Sequence, residues 1–590
     1  MTNGKAAATT AIAAAIAISA CMGIFLYSFA RTIDFGDEGS SIYLLAHASS
    51  SMASMDHFVW GHLFGALGFN VVELRWANLV LLVGSNALLC AACVSSLYKD
   101  GWERHDHLIA AVVTLSFSTL GTLLFFTVAS VINYNSTLVI AANIFASFAI
   151  FSRRSSARGR LLFGIGMGFM TAFAFMARAS GAVLFLIYFV IFSLLLDRDR
   201  SFSSLLVSLA TIIAAALSAL LIAIFLGYGI GDQLTLLRAL SQASHSPLDL
   251  LRAYVPTGVA VLMSAAIATG LYVVIERRLG KPQGRGMGTI LMLVLPMVVT
   301  VALGYMAYAG FFIATSPRAN PLDANNLLSS LAPGIHAGTL SLLFIVSGPQ
   351  LSGRFPILRS WFTPESDHST RILLRYAVVL YCLCLFPQVG TDSGILNRCV
   401  GLGAVFLVLA LLLLEVFRKG GIAAWMLPVV IFWVALPVVS DLYAKLINHS
   451  RVNGSAFDQT VILDHPRILE GLRVTPVIAD FQGSIERELR RQNFDFNHDV
   501  IMPATRQLGV LALIGATNFS IGGVFRGYKR IEIWNCALIK WGLQRNYARI
   551  FVFDYELLDD ASKSCLTGYD VGPPVSIDGI MSVRVLSKRL

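Results

Sequence analysis

Runs of about 20 apolar residues recur along this chain from Ala6 to about Tyr443, and that recurrence limits the fold more than any other feature. A hydrocarbon core about 30 Å thick is crossed by about 20 residues of helix, and inside it each backbone N–H and C=O needs a partner within the segment. The runs predict spans over 8–30, 76–97, 108–131, 136–152, 161–177, 180–196, 204–228, 254–275, 288–309, 328–348, 372–387, 399–417 and 421–443, about thirteen in all. Those at 161–177, 180–196 and 372–387 are near the lower length limit, which also admits a re-entrant or broken pair. With 56% hydrophobic and 13% charged residues and a mean hydropathy of +0.71, the composition excludes an ordinary soluble enzyme.

Orientation follows from the short connections. If the N-terminus is cytoplasmic, the inside loops carry Lys99, Arg104, Arg153, Arg154, Arg158, Arg160, Arg198, Arg200, Arg277, Arg278, Arg354, Arg359, Arg418 and Lys419. The outside loops carry far fewer cations, among them Arg31, Arg75, Arg178 and Arg238. The positive-inside rule then favours a cytoplasmic N-terminus, and thirteen spans place the C-terminal part outside the cytoplasm. The expected location is a multi-pass bacterial inner or plasma membrane, and much of the net charge of +10 is topology, with no nucleic-acid partner implied. Ile18-Ser19-Ala20-Cys21 resembles a lipoprotein processing box, yet the apolar run continues through Met22–Tyr27, which suits a retained helix.

After about residue 443 the pattern changes, giving two expected domains, a membrane domain 1–443 and a soluble α/β domain 444–590. In the latter, Thr460–Leu463 and Ile550–Phe553 read as buried strands, and 476–492 and 531–545 show helical spacing of apolar residues. It contains no nucleotide-binding glycine fingerprint, no Walker box and no zinc spacing. Cys536 and Cys565 are its two cysteines, either a disulfide pair in an oxidising compartment or two separate thiols. The remaining cysteines, Cys90-x-x-Cys93 included, lie in or at apolar spans and read as packing.

The first outside loop, roughly 31–75, is the richest in chemistry. Asp34, Asp37 and Glu38 leave the first span together, Asp56, His57, Trp60 and His62 follow, and Arg75 begins the second span. Polar groups gathered at a membrane surface either form a site or serve as solvated charge and interfacial anchors.

The order of long first helix, Asp37-Glu38 at its outside end, Asp56-His57, and Gly68-Phe69-Asn70 with Val72 and Arg75 entering the second helix resembles the GT-C superfamily of membrane glycosyltransferases. The nearest likeness is to the branch of protein O-mannosyltransferases and the lipid A aminoarabinose transferase. It covers the membrane part loosely and residues 31–80 closely; Asp56-His57-Phe58-Val59 departs from the Asp-His-Pro-Pro of many relatives, which bears on Asp56 and His57. The resemblance implies a GT-C-like membrane fold and inverting transfer of a sugar from a polyprenyl phosphate to an acceptor hydroxyl on an envelope glycan, lipid or protein. It implies Asp37 as base, Glu38 and Asp34 as supporting acids, and Asp56, His57, Arg75, Tyr134 and Arg178 as substrate-binding residues, Arg75 and Arg178 facing the phosphate. Metal use is left open, a divalent cation on the phosphate being one option. Arg318, Gly390–Gly394 and Arg398 are further outside candidates. Two other classes compete: a transporter or flippase of lipid-linked sugars, which favours ionisable groups near the bilayer midplane, and a non-catalytic scaffold for an envelope partner.

Overall fold

Lipid offers a peptide group no hydrogen-bond partner, so the apolar runs close their own bonds as helices. The structure is a computed structural model and describes residues 3–31, 33, 37–47, 56–102, 107–125, 131–197, 201–231, 234, 247–279, 324–352, 367–385, 401–420, 427–447, 455–504, 508–520 and 531–589. The helices of the membrane part are α1 (Asn3–Tyr27), α2 (Asp37–Ala46), α3 (Asp56–Leu67), α4 (Val71–Lys99), α5 (His107–Phe125), α6 (Tyr134–Ser152), α7 (Ala157–Ala177) and α8 (Ala179–Leu196). They continue with α9 (Phe202–Phe225), α10 (Pro247–Leu279), α11 (Ala324–Ser352), α12 (His368–Leu385), α13 (Leu402–Gly420) and α14 (Leu427–Ile447).

Among the described residues nine helices are long and apolar enough to cross a bilayer, from α1 and α4 through α10, plus α12. α13 and α14 contain shorter apolar helices, Leu402–Phe417 and Val430–Ser440, and the expected span 328–348 lies within α11. The expected span 288–309 lies outside the described residues, as do Asp34, Arg318, Gly390–Gly394 and Arg398. α7 and α8 are full helices of 21 and 18 residues, each about 27–32 Å long, so the segments at 161–177 and 180–196 each belong to a helix long and apolar enough to cross a bilayer.

Small residues and buried amides bind these helices to one another, because lipid gives apolar side chains no reason to prefer a neighbouring helix. A Cβ at Gly121 would lie 2.7 Å from the Leu402 carbonyl oxygen, and one at Gly403 would lie 2.5 Å from Thr122 Oγ1, so α5 and α13 touch through their backbones. Beside them Asn86 Nδ2 donates to Thr122 Oγ1 at 2.6 Å, and Asn143 Nδ2 donates to Asn86 Oδ1 at 2.9 Å. These bonds join α4, α5 and α6. By contrast α9 buries only Ile212, Ala216 and Ala223 and leaves Phe202, Leu217, Leu221 and Phe225 exposed, as a lipid-facing helix does.

The C-terminal residues form an α/β domain with strands β1 (Val461–Ile462), β2 (Arg473–Val474), β3 (Val500–Pro503), β4 (Arg549–Phe553), β5 (Tyr569–Val571), β6 (Val575–Ile577) and β7 (Met581–Lys588). Its helices are α15 (Pro476–Arg491), α16 (Leu508–Ile514), α17 (Ile531–Leu543) and α18 (Asp560–Ser564). The five-stranded sheet runs β3-β4-β7-β5, with β6 on β7 and only β3 and β4 parallel. β4 is its buried centre, as expected for 550–553. Thr460–Leu463 is not a buried strand: only Val461–Ile462 pairs, with β2, and Ile462 is 55% exposed. α15 begins where Thr475 caps the Ile478 N–H and Pro476 supplies a preset first turn, and it buries Ile478, Gln482, Ile485 and Leu489 along one face.

Both ends of the membrane part meet this domain. Arg473 N–H donates to the Ala30 carbonyl at 2.7 Å just beyond α1, and Ser455 Oγ donates to the Leu446 carbonyl at 3.3 Å at the end of α14. The C-terminal ends of α1 and α14 thus both finish against the α/β domain. Cys536 and Cys565 are bridged, Cα atoms 5.6 Å apart, closing a loop with a separation of 29 residues and tying α17 to the end of α18. A loop of that size restricts the unfolded chain by about 3–4 kcal/mol. The double substitution Cys536→Ala/Cys565→Ala is expected to lower the stability of the domain by up to about that amount, read as earlier proteolysis within 455–589 on thermal ramping of the purified protein, with α1–α14 unaffected.

Candidate functional site

The expected outside loop 31–75 contains two helices, α2 and α3, and the end of α3 is turned into α4 by Gly68 in the left-handed region, φ 70°. Asn70 then caps α4: its Oδ1 accepts from Val72 N and Glu73 N, each at 3.0 Å, while Glu73 Oε2 accepts from Asn70 N at 2.8 Å. This reciprocal cap fixes the rotation of the first turns of α4 and so the direction of Arg75.

Arg75 points into the protein and is 1% exposed. Nε donates to Glu38 Oε1 and Nη2 to Glu38 Oε2, both at 2.8 Å, a fork-to-fork pair with Glu38 7% exposed. Nη1 donates to the carbonyls of Phe29 at 2.7 Å and Arg31 at 3.0 Å, where α1 has ended and its last C=O groups lack helical partners. Arg75, expected to face a phosphate, has all three guanidinium nitrogens engaged by protein acceptors. A small cavity beside it, lined by Phe25, Asn78, Leu82 and Thr122, has a volume of about 10 Å³, room for a water and not for a sugar.

Glu38 Oε1 also accepts from Val131 N at 3.3 Å. From there the connection into α6 carries the other candidates. Asn133 caps α6, accepting from Asn135 N and Ser136 N at 3.0 and 3.1 Å, which is the physical role of the Asn133-Tyr134-Asn135 turn. Tyr134 presents its ring to Arg178, whose guanidinium carbon is 5.4 Å from the ring centre. Arg178 is the single extended residue between α7 and α8. Thr137, one turn further along α6, donates to Asp56 Oδ2 at 2.9 Å and accepts from Trp60 Nε1 at 2.9 Å. Asp56 is fully buried, and His57 beside it is 2% exposed with its Nδ1 3.3 Å from Asp56 Oδ1.

Glu38, Arg75, Asp56, His57, Tyr134 and Arg178 are therefore brought to one end of the helices, arranged around residues 131–137. Asp37 opens α2, one residue from the Glu38–Arg75 pair; its side chain is outside the described ones, as is Asp34 altogether. Residues not anticipated join them. Thr137 couples Asp56 to α6, and Tyr228, 3% exposed just past α9, is held protonated by burial and by the charge of Asp56. A hydroxyl one helical turn after the Asn133 cap was the only sequence signal for Thr137. For Tyr228 there was none. Among the described residues, no group of three His, Cys, Asp or Glu side chains comes together as a metal site.

The α/β domain supports α2 from the other side. α16, buried at all of its 7 residues, packs along α2. The Asn518 N–H, which points away from the bridge that Asn518 makes to Ile501, donates to the Tyr43 hydroxyl oxygen at 2.6 Å. Burial pushes the Tyr43 phenol well above its ordinary value, so it stays neutral. His47, stacked on Tyr43 with ring centres 4.2 Å apart, has its basicity lowered by burial.

A buried ion pair that loses one partner leaves an uncompensated charge, at a cost of about 3–5 kcal/mol. Arg75→Met is expected to destabilise the protein by that amount, seen as a lower unfolding temperature in detergent. Glu38→Met/Arg75→Met, which removes both charges, is expected to recover much of the loss while the carbonyls of Phe29 and Arg31 stay uncapped. A single substitution that left the unfolding temperature unchanged would contradict the burial of the pair.

No protein-family model matches this chain, and no curated protein matches it.

Proposed function

We propose that this protein is an inverting membrane glycosyltransferase, which moves a sugar from a polyprenyl-phosphate donor to a hydroxyl on an extracytoplasmic glycan, lipid or protein. The observation that carries the reading is the Glu38–Arg75 pair, which fixes the acidic start of α2 against the exit of the apolar helix α1, where in this reading a lipid phosphosugar would meet it. Supporting it, the described charged groups gather at the ends of the helices: Glu38, Asp56 and Arg178 at one end, and Asp100 with Arg153 and Arg154 at the other. A transporter would favour ionisable groups at the midplane.

In this mechanism Asp37 takes the proton of the acceptor hydroxyl as its oxygen attacks the anomeric carbon, the bond from that carbon to the phosphate oxygen breaks, and the polyprenyl phosphate departs with the electron pair. Displacement from the opposite face inverts the anomeric centre. Glu38, its carboxylate held by Arg75 and Val131 N, orients the start of α2 and contributes no proton. Arg178, beside Tyr134 in the turn between α7 and α8, is the cation that faces the phosphate, a role its planar guanidinium suits. Asp56, held by Thr137, and His57, beside Asp56, are assigned to the acceptor side. Arg75 acts through Glu38.

Transfer of label from a panel of radiolabelled polyprenyl-phosphate sugars, by purified protein with envelope extracts as acceptor, is the test, run with and without EDTA to read any divalent-cation requirement. Asp37→Asn keeps the shape and removes the basic oxygen, and turnover is expected to fall by at least about 10²–10⁴-fold with donor binding and folding retained. Activity within a few-fold of wild type in the folded variant would remove Asp37 from the mechanism. Donor movement across vesicles without label transfer would replace the enzyme reading with a transporter.

The reading also requires the α/β domain outside the cytoplasm, where a Cys536–Cys565 bridge persists. Ser455→Cys, on a background without other reactive thiols, is expected to react with an impermeant maleimide in intact spheroplasts. Labelling only after lysis would overturn the orientation.

A further inference from the structure

We infer that the α/β domain rests on the lipid surface itself, through an apolar patch of Phe457, Ile462 and Val477 rimmed by Arg31, Arg467 and Arg473. These three apolar side chains are 53%, 55% and 62% exposed. Isolated exposed apolar residues are ordinary, but these three lie on segments held at or next to the exit of α1. Phe457 packs on Tyr27, the last residue of α1, with ring centres 5.4 Å apart. Ile462 is the cross-strand partner of Arg473, which shares its side of the β1–β2 ribbon and whose N–H holds Ala30. Val477 follows four residues later, at the start of α15.

The depth of the patch follows from α1. Its apolar span ends at Tyr27, and the next residues turn back on the helix end: Arg31 N–H donates to the Ser28 carbonyl at 3.0 Å and Arg31 Nη1 to the Tyr27 carbonyl at 3.2 Å. Residues 30 and 31 therefore stand within the headgroup layer, roughly 5–8 Å thick on each side of the hydrocarbon. β2 is hydrogen-bonded at that level, so Ile462 and Phe457 are level with headgroups and upper acyl chains. The flanking cations suit lipid phosphates: Arg31 lies over the Tyr27 ring at 4.0 Å, and exposed Arg467 stands beside the Gly68 turn. A protein partner is a poorer occupant, because three side chains fall well short of the roughly 800 Å² per partner that a stable interface takes. Apolar tips in the interface with arginines snorkelling to phosphate are the chemistry of a monotopic contact.

The inference does not depend on the proposed activity. Its test uses the whole protein in nanodiscs of phosphatidylethanolamine and phosphatidylglycerol, with a nitroxide placed in turn at Phe457→Cys, Ile462→Cys, Val477→Cys and, as reference, Val571→Cys. β5, which carries Val571, is the sheet edge opposite to β3, whose neighbour Asn518 holds α2. Labels at 457, 462 and 477 are expected to relax faster with oxygen and with nickel-chelating lipid headgroups and to be shielded from a water-soluble nickel complex. The label at 571 is expected to show the reverse. If the three labels behave like the one at 571, or are shielded from lipid and water reporters alike, the lipid contact is refuted.

Discussion

The pair between Arg75 and Glu38 holds together parts of the chain that have little else in common. One guanidinium closes the open end of α1, grips the first turn of α2 and, through Glu38, meets the Val131 N–H ahead of α6. Three helix ends are thereby joined in a volume that water scarcely reaches. Such a pair gains little stability over apolar residues of the same size, since the cost of removing both charges from water consumes most of their attraction. Its distinct property is direction, because two parallel bonds from a planar fork admit one relative placement of α2 and α4. A pair of this kind suits a carboxylate whose position matters more than its contribution to folding.

The α/β domain completes that placement. Its edge strand β2 holds Ala30, between the carbonyls that Arg75 caps, and Asn518 holds Tyr43 halfway along α2. α2 has only 10 residues, too few to persist as a helix in isolation, so its order comes from this sandwich between the bundle and the soluble domain. Separation of the domain would free both α2 and the exit of α1.

The membrane part was legible because bilayer thickness imposes a length on every crossing, and expected spans from 76–97 to 254–275 fall on described helices, as does 372–387. α2 and α3 were not legible as helices. Within α2, Glu38, Gly39 and Ser41–Leu45 are buried between bundle and domain, so that stretch lacks the polar face by which a short helix declares itself. Thr460–Leu463 misled for a related reason: its apolar side chains read as core, whereas Ile462 faces outward beside Arg473. The candidate residues were legible as spatial neighbours, since Glu38, Asp56, Tyr134 and Arg178 do converge. Their pairings were not, because nothing in residue order shows that Arg75 turns inward to Glu38 while Arg178 turns toward Tyr134.

That difference between the two arginines bears on the proposed chemistry. A group that stabilises a departing phosphate must exchange partners during the reaction, which a cation in a buried bidentate pair does only at large cost. Freeing Arg75 would strand Glu38 in a site of low polarity and uncap the end of α1, so its charge is committed before any substrate arrives. Arg178 stands where two helices meet at a single extended residue, with its contact to Tyr134 at 5.4 Å. Glu38 is committed in the same way as Arg75, its carboxylate oxygens being taken by the guanidinium and by the Val131 N–H. In the proposed mechanism the proton is therefore assigned to Asp37, the other member of the acidic pair that opens α2.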